Sequence, residues 1–180
     1  MAENIEVKAR LRAPEAFRRK LKTLLPGRTV VMEQEDVYFL TSRGRLKLRI
    51  FGPRKGELIH YERADLKGPK KSVYRIYRTD APLLLRDVLG AALGVRGVVK
   101  KTRRLRLAGQ TRIHDDDVEG LGRFVELEVV LRPGQSEEEG REIAAEWLER
   151  LGISKADLVK GSYLDLQEAR MRSTAKRSER

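Results

Sequence analysis

The stretch Asn4-Ile5-Glu6-Val7-Lys8-Ala9-Arg10-Leu11-Arg12 decides the fold class, because polar and apolar residues alternate along it without interruption. Successive side chains of a β-strand point to opposite faces, so a period of two predicts a strand with one polar and one apolar face. The polar face carries charges of both signs instead of the Ser and Thr common on sheet surfaces. Such a face is suited either to contact with water or to a highly charged ligand.

The same alternation recurs along the chain and predicts an antiparallel meander with helices beside it. We expect further strands at residues 29–40, 45–50, 57–65, 72–78, 98–107, 111–119 and 122–131. Four helices are expected at residues 14–25, after a cap at Asp80 and up to Leu93, after a Ser136–Glu139 capping box and up to Leu151, and at residues 163–169. Residues 67–71, rich in Gly, Pro and Lys, are expected to form a loop.

Two arrangements of this sheet follow from the pattern. An open antiparallel sheet usually keeps one face in water, which would explain the charged residues without any function. The alternative is a closed barrel with a charged interior and an aliphatic outside covered by helices, the reverse of an ordinary filled barrel. By pattern alone the open sheet is the simpler interpretation, whereas the closed barrel would suit a highly charged ligand.

Length and composition restrict the class of protein. A chain of 180 residues has the size of one domain, to which we assign residues 1–168, and the basic, core-poor residues 169–180 are expected to be a disordered tail. The formal net charge of +12 indicates an anionic partner. The lack of cysteine excludes a disulfide framework, a thiol nucleophile and a zinc-thiolate site. Without a long apolar stretch or a signal peptide, we expect a cytoplasmic protein that does not bind membranes.

Several ordered motifs resemble one known family. Asn4-Ile5-Glu6-Val7-Lys8 is similar to the Glu-x-Glu-x-Lys signature of the CYTH proteins, the triphosphate tunnel metalloenzymes that include class IV adenylyl cyclases and thiamine triphosphatases. Further matches follow in the family's order, and the last of them are closest to the class IV cyclase branch. They are Gln34-x-Asp36-x-Tyr38-Phe39, Leu48-Arg49, Tyr61-Glu62-Arg63, Lys101-Thr102-Arg103, residues 114–122, Phe124-Val125-Glu126-Leu127-Glu128 and Ser162-Tyr163-x-Asp165-Leu166.

The resemblance implies an α+β fold, an eight-stranded antiparallel closed β-barrel that forms a triphosphate tunnel with a charged interior and helices packed outside. It implies that basic residues bind the phosphates, namely Lys8, Arg49, Arg63, Lys101 and Arg103. It also implies that carboxylates bind Mg²⁺ or Mn²⁺, namely Glu6, Asp116, Glu126 and Glu128. Hard oxygen ligands suit these ions, and Arg and Lys suit phosphate oxygens. Lys8 is also a candidate catalytic residue that could orient or deprotonate a nucleophile.

The chain departs from the family pattern at Asn4, which stands where the signature has its first glutamate. An amide oxygen can ligate a hard cation but adds no charge, so Asn4 is a further metal ligand candidate of a weaker kind. Other polar residues have simpler interpretations. Asp115 and Asp117 should point to the outer face of their strand as surface or turn residues, and His60 and His114 should be packing or surface residues. Trp147 should belong to the core.

Three functions remain open at this point. The first is a metal-dependent reaction similar to that of class IV adenylate cyclases, which convert ATP to cyclic AMP and pyrophosphate. The second is a triphosphatase that hydrolyses inorganic triphosphate, thiamine triphosphate or a nucleoside triphosphate. The third is a non-catalytic polyphosphate or nucleic-acid binder, which the sparse aromatic residues disfavour for nucleic acid. We therefore expect a small-molecule triphosphate as the partner, with a homodimer left open.

Overall fold

The charged strands close into a barrel. The computed structural model describes residues 2–178, with side chains up to residue 175, and its eight antiparallel strands follow the order β1-β5-β4-β3-β2-β6-β7-β8, with β8 pairing back to β1. The strands are β1 Ala2–Arg10, β2 Val30–Phe39, β3 Arg45–Gly52, β4 Lys55–Arg63, β5 Lys70–Thr79, β6 Val95–Ala108, β7 Thr111–Val118 and β8 Gly122–Val130. The expected α+β closed barrel is confirmed, and the open, half-solvated sheet is excluded.

Four helices accompany the barrel: α1 Pro14–Leu24, α2 Pro82–Leu93, α3 Glu137–Leu151 and α4 Tyr163–Ser178, with a 3-10 turn at Lys155–Asp157. The capping box at the start of α3 is present, because Ser136 and Glu139 bond to each other's backbone N–H groups. Asp80 was expected to cap α2, but it does not. Ala81 occupies the cap position without a side-chain bond, and Pro82 begins the helix. No helix within residues 2–178 is long and apolar enough to cross a membrane.

The apolar face of β1 points outward and is covered by helices. Ile5, Val7 and Ala9 are fully buried in one cluster with Phe17 of α1 and Trp147 of α3, as expected for Trp147. Helix α3 lies so close to the barrel that a Cβ at Gly140 would come within 2.6 Å of the Ile5 side chain. Because the aliphatic faces are used outside, the charged faces are left to line the interior.

Helices α2 and α4 cover the remaining apolar faces. Leu85 and Leu89 of α2 pack against a cluster on β2 and β3. Leu164 of α4 packs over β6, where a Cβ at Gly97 would come within 2.5 Å of a Leu164 methyl. Tyr163, the first residue of α4, is buried with it. Helix α4 is therefore anchored at its N-terminal end.

The last helix is longer than the expected residues 163–169. Helix α4 does not end at Ala169 but continues to Ser178, and side chains 171–175 are exposed. Residues 170–178 contain no Gly or Pro to end a helix and include the good helix formers Arg, Met, Ala and Lys. Helix propensity needs no core, so a segment that is poor in core-forming residues can still be helical. Residues 179 and 180 lie outside the described residues, and the domain limit at residue 168 stays a prediction.

Candidate active site

The polar faces of all eight strands surround one cavity in the barrel. Nine of the ten residues proposed from the sequence line it: Asn4, Glu6, Lys8, Arg49, Arg63, Lys101, Arg103, Glu126 and Glu128. The tenth, Asp116, is fully buried behind Arg103. Among the described residues the lining holds seven Lys or Arg side chains and five carboxylates, so positive charge is in excess.

Asp36 organises the cations on the β2, β3 and β6 side of the cavity. Its carboxylate accepts two bonds from Arg49, at 2.8 and 3.0 Å, and one from Lys101 Nζ at 2.6 Å. Lys47 Nζ lies 3.2 Å from the same carboxylate. We call Asp36, Lys47, Arg49 and Lys101 the Asp36 cluster. One carboxylate therefore holds three cations in place, with two positive charges in excess.

Burial changes the protonation of this cluster. Burial lowers the pKa of Lys101 to about 7 and that of Lys47 to about 8, with Arg49 acting in the same direction and Asp36 opposing. The pKa of Asp36, which burial alone would raise, is held well below its usual value by Arg49, Lys101 and Lys47. Near neutral pH the two lysines can thus exist in either protonation state, whereas Asp36 stays ionised.

Asp36 and Lys47 are not among the residues expected from the sequence to form the site, although both carry signals in the sequence. Lys47 lies two residues before Arg49 on one strand, which places both side chains on the same face. Asp36 belongs to one of the motifs that resemble the family. Its function could not be recognised from one strand, because its three partners come from β3 and β6.

A second group of side chains collects donor atoms on β7 and β8. Glu126 and Glu128 share the inner face of β8, and His114 stands opposite Glu126 in register. One ligand atom from each of the three residues lies within 4.8 Å of the others. We call His114, Glu126 and Glu128 the acidic cluster.

His114 was expected to be a packing or surface residue, and the structure instead places it inside the barrel at 3% exposure. Its Nδ1 lies 3.7 Å from a Glu126 oxygen and 3.8 Å from a Glu128 oxygen, both beyond hydrogen-bond distance. Among the described residues this buried nitrogen has no hydrogen-bond partner. The signal for its position was the two-residue spacing to Asp116 on β7.

The two glutamates differ in their partners. Glu126 contacts Lys8 Nζ at 3.0 Å and Arg103 Nη2 at 2.6 Å. Glu128 forms an ion pair with Arg112, whose Nη1 lies 3.3 Å from the carboxylate. Apart from His114, no other described residue forms an ion pair with Glu128. Burial alone would raise the pKa of each glutamate, but the cationic neighbours together outweigh it, led by Lys8 at Glu126 and by His114 at Glu128, so both pKa values are lowered. Both carboxylates are thus ionised, and Glu128 is the less engaged.

Asp116 serves Arg103 in this structure. It accepts two bonds from Arg103, at 2.7 and 2.6 Å, and one from the hydroxyl of Tyr163 at 2.8 Å. Tyr163 also stacks beneath Lys8, whose Nζ is 4.2 Å from the ring centroid. Asp116 therefore positions a cation, and Tyr163, to which the sequence gave no separate role, links α4 to the interior.

The β1 signature residues occupy the remaining side of the cavity. Glu6 forms an ion pair with Arg63 of β4. Asn4 is 4% exposed, and its Oδ1 has no hydrogen-bond partner among the described residues. An unpartnered buried acceptor is costly and marks a place where a ligand or water can bind. The neutral substitute for the first glutamate thus still points an oxygen into the site.

One part of the cavity wall is apolar and aromatic. Tyr61 stands opposite Tyr74, and Ile59 stands opposite Ile76, on neighbouring strands β4 and β5. All four residues line the cavity, and Ile76 is 44% exposed, which places it at the opening. This wall offers an organic group a surface beside the cations of the cavity.

Other polar residues lie away from the cavity. Asp115 points outward as expected, but it is buried at 2% exposure instead of lying on the surface, because Arg18 of α1 pairs with it at 2.5 Å. Asp117 pairs with Arg123 at 3.0 Å. His60 Nε2 lies 3.2 Å from the carbonyl oxygen of Arg43, in agreement with a packing role.

Comparison with known proteins agrees with this fold. The model of the CYTH domain matches residues 2–163. A structure from Pyrococcus horikoshii is 29% identical, with a TM-score of 0.77, and covers 91% of this chain and 98% of its own. A conserved hypothetical protein from Pyrococcus furiosus is 26% identical, with a TM-score of 0.80, and covers 91% of this chain and 99% of its own.

An adenylate cyclase candidate from Vibrio parahaemolyticus shares the fold at 20% identity, with a TM-score of 0.75 and coverage of 93% of this chain and 98% of its own. The comparison with curated proteins finds no match.

Proposed function

This chain belongs to the CYTH domain family, and we propose that it is a metal-dependent enzyme that cleaves a triphosphate inside its barrel. The observation that carries the proposal is the presence, in one cavity, of excess buried cations and a separate group of metal-ligand atoms. Phosphoryl chemistry needs little covalent work from a protein, but it needs cations to hold the oxygens and to neutralise the developing charge. The cavity offers both.

The phosphate chain would lie between the two sides of the cavity. Arg49 and Arg103 have their guanidinium groups fixed by Asp36 and Asp116, so they need little reorganisation to bind phosphate oxygens. Lys8, Arg63 and Lys101 complete the set of phosphate-binding candidates. Their carboxylate partners hold them apart until an anion enters.

The acidic cluster fits Mg²⁺ or Mn²⁺. Glu126 and Glu128 supply ionised oxygens, and the His114 nitrogen lacks a partner among the described residues. Carboxylate oxygens suit both ions, and Asn4 Oδ1 is a further candidate donor. When bound, the ion would supply charge neutralisation at the phosphate oxygens. Glu6 is held by Arg63, and Asp116 by Arg103, so a direct metal contact from either would require these pairs to open.

The leading reaction is that of an adenylate cyclase. The 3′-oxygen of ATP would form a bond to the α-phosphorus, the bond from that phosphorus to the bridging oxygen would break, and pyrophosphate would leave. The proton of the 3′-hydroxyl requires an acceptor, and Lys101 is suited to it because burial lowers its pKa to about 7. Lys8, held by Glu126, would orient the nucleophile. The wall formed by Tyr61, Tyr74, Ile59 and Ile76 favours a triphosphate that carries an organic group.

Hydrolysis is the second candidate, and the same wall supports it. Ile59 and Ile76 provide no hydrogen bonds that would select adenine, so the wall suits several organic groups. In this reaction water would attack the terminal phosphorus of thiamine triphosphate, a nucleoside triphosphate or inorganic triphosphate. The cations and the acidic cluster would have the same roles.

One set of incubations tests both reactions. The purified protein is incubated with Mg²⁺ or Mn²⁺ and separately with ATP, thiamine triphosphate and inorganic triphosphate, and cyclic AMP, pyrophosphate and orthophosphate are resolved. Equal amounts of cyclic AMP and pyrophosphate support the cyclase, and orthophosphate supports the hydrolase. Binding of triphosphate without any product would contradict the enzyme and favour a polyphosphate binder.

A further inference from the structure

Lys70 faces the interior of the barrel, although neither the motifs nor the clusters above include it. It is the first residue of β5 and stands opposite Glu6 of β1 in register, and directly opposed residues share a face. Its neighbour Lys71 points outward, where it contacts Glu3 and Glu137 at 3.1 Å each. Lys70 itself is 2% exposed.

The ammonium group of Lys70 differs from those of the other interior lysines. Lys8 is paired with Glu126, and Lys101 with Asp36. Lys70 Nζ is buried and has no hydrogen-bond partner among the described residues. Burial, with Arg63 and Lys8 acting in the same direction, lowers the pKa of Lys70 to about 8. A buried ammonium with three donors and no acceptor is costly to the folded protein, and an anionic ligand would remove that cost.

The position of Lys70 along β5 indicates which end of a ligand it would meet. Lys70, Ser72, Tyr74 and Ile76 alternate along the strand and share the inner face. Ile76 lies at the opening at 44% exposure, and Lys70 lies three such steps inward at 2% exposure. A ligand whose organic group contacts Ile59 and Ile76 would therefore extend its phosphate chain toward Lys70.

We propose that Lys70 is a substrate-binding residue that contacts the terminal phosphate and thereby makes the site prefer triphosphates over diphosphates. The terminal phosphate carries three non-bridging oxygens, so it can satisfy Lys70 while Arg63 contacts the same group. This inference rests on the proposed function, because it requires a triphosphate to enter with its organic group at the opening.

The test is titration calorimetry with ATP and with ADP, in EDTA so that no metal-dependent turnover occurs. Lys70→Met retains the length of the side chain and removes its charge. We expect the variant to bind ATP about 10- to 100-fold more weakly, the range for a hydrogen bond to a charged group, and to bind ADP as the wild type does. The melting temperature of the ligand-free variant should stay the same or rise, because an unpaired buried charge is removed.

Two further variants serve as controls. Lys71→Met removes the same charge from the outer face and should leave ATP and ADP binding unchanged. Lys70→Arg keeps the charge and should retain a preference for ATP. If the wild type binds ATP no better than sulfate, the proposed function is wrong. If it binds ATP and Lys70→Met binds it equally well, or if Lys70→Met unfolds or loses ADP affinity to the same extent, the assignment of Lys70 alone is overturned.

Discussion

The Asp36 cluster and the acidic cluster are both charged and buried, but their internal balance differs. In the Asp36 cluster one carboxylate is saturated by Lys47, Arg49 and Lys101. In the acidic cluster, two carboxylates and His114 bring ligand atoms together, and the His114 nitrogen has no partner among the described residues. In the Asp36 cluster the carboxylate is fully paired, whereas the acidic cluster still has ligand atoms that can bind a cation.

This difference shows how a barrel can hold opposite charges without neutralising its own site. If every cation were paired with its own carboxylate, no net positive charge would be left for an anionic ligand. Instead, Asp36 fixes three cations and compensates one of them, so two positive charges remain for an anion. Glu128 remains weakly paired beside His114, which leaves donor atoms for a cation. A metal-bound triphosphate would satisfy both sides.

The largest expected effect comes from the saturated cluster. Asp36→Asn keeps the shape of the side chain but leaves three buried cations without a counter-charge. Removing one partner of a buried ion pair costs roughly 3–5 kcal/mol. For a domain of this size we expect the melting temperature to fall by roughly 10 °C, measured by circular dichroism. The loss should be greater at pH 6 than at pH 9, because Lys47 and Lys101 can lose their protons at the higher pH.

A surface pair provides the matched control for Asp36→Asn. Glu62 of β4 and Arg43 of the turn before β3 also form an ion pair, but both side chains are exposed. Glu62→Gln should leave the melting temperature unchanged, because exposed pairs contribute little. Inorganic triphosphate should restore part of the stability of Asp36→Asn by replacing the missing anion. An Asp36→Asn protein as stable as Glu62→Gln would show that Asp36 does not hold the cluster together.

The next effect separates the two glutamates of the acidic cluster. Glu128→Gln should lower turnover by roughly two orders of magnitude, the usual effect of losing one electrostatic element of a site, and weaken Mn²⁺ binding in a titration. Its melting temperature without metal should change little, because the Arg112 side chain is partly exposed, and water can solvate its charge.

Glu126→Gln should lose activity to a similar extent and should also lose stability. In an interior without cations, two glutamates on the same face would repel each other, and removing one charge would stabilise the protein. Here Glu126 is paired with Lys8 and Arg103, and the substitution would leave these two buried cations without their partner. Full turnover and full Mn²⁺ affinity in Glu128→Gln would remove the acidic cluster from the proposed metal site.

The fold could be predicted from the sequence because each strand carries its own evidence. The alternation in β1 gives the inner and outer faces, and the strand limits at β3 and β7 agree with the structure to within a few residues. Closure of the barrel, however, depends on the β1–β8 and β2–β6 pairings, which alternation does not reveal. It followed from the resemblance to a known family.

The candidate site was less predictable because its residues depend on partners from distant strands. Glu126 and Arg63 could be placed on an inner face, but their contacts with Lys8 and Glu6 required the register of β1. The Gly-Pro pair before Lys70 is typical of a loop and hides the true start of β5, so the sequence predicts a loop at Lys70. His114 was taken as a packing residue, because a single histidine has no spacing that reveals a ligand.

A smaller effect is expected in the pH dependence of folding stability, to which the two clusters contribute in different pH ranges. The pKa values of Lys101 and Lys47 are lowered in the folded state to about 7 and about 8, so the unfolded chain binds more protons above these values. Stability should therefore rise from about pH 7 toward pH 10. The raised pKa values of Tyr38 and Tyr163 reverse this trend once tyrosines in the unfolded chain ionise, near pH 10.

At acidic pH, the carboxylates and not the lysines determine how stability depends on pH. Burial works against ionisation of Glu126 and Glu128, but their cationic neighbours hold both pKa values low, so their contribution to stability is lost as the pH falls below about 4. Melting temperatures measured from pH 3 to pH 11 test both limbs. Bound inorganic triphosphate should flatten the rise above pH 7 by keeping the lysines protonated, and Lys71→Met should leave it intact. A wild-type stability that falls steadily from pH 7 to pH 9 would contradict the charge distribution of the Asp36 cluster.

The smallest effect is expected at the end of α4, far from both clusters. Deleting residues 172–180 removes four basic residues and one acidic residue, and thus changes the net charge of the protein without touching the cavity. The described side chains of this segment are exposed, and Arg172 contacts Glu168 at 4.0 Å in a surface pair that contributes little. The deletion keeps Leu164 and Tyr163, which anchor the helix to the barrel.

We expect this deletion to leave the melting temperature within about 1 °C of the wild type and turnover unchanged at 0.15 M salt, where charges beyond roughly 8 Å are screened. At low salt, the substrate KM should rise slightly, because the positive field that attracts an anion is weaker. A loss of activity at 0.15 M salt as large as that of Glu128→Gln would show that this segment contributes to the site, and that buried charges alone do not define it.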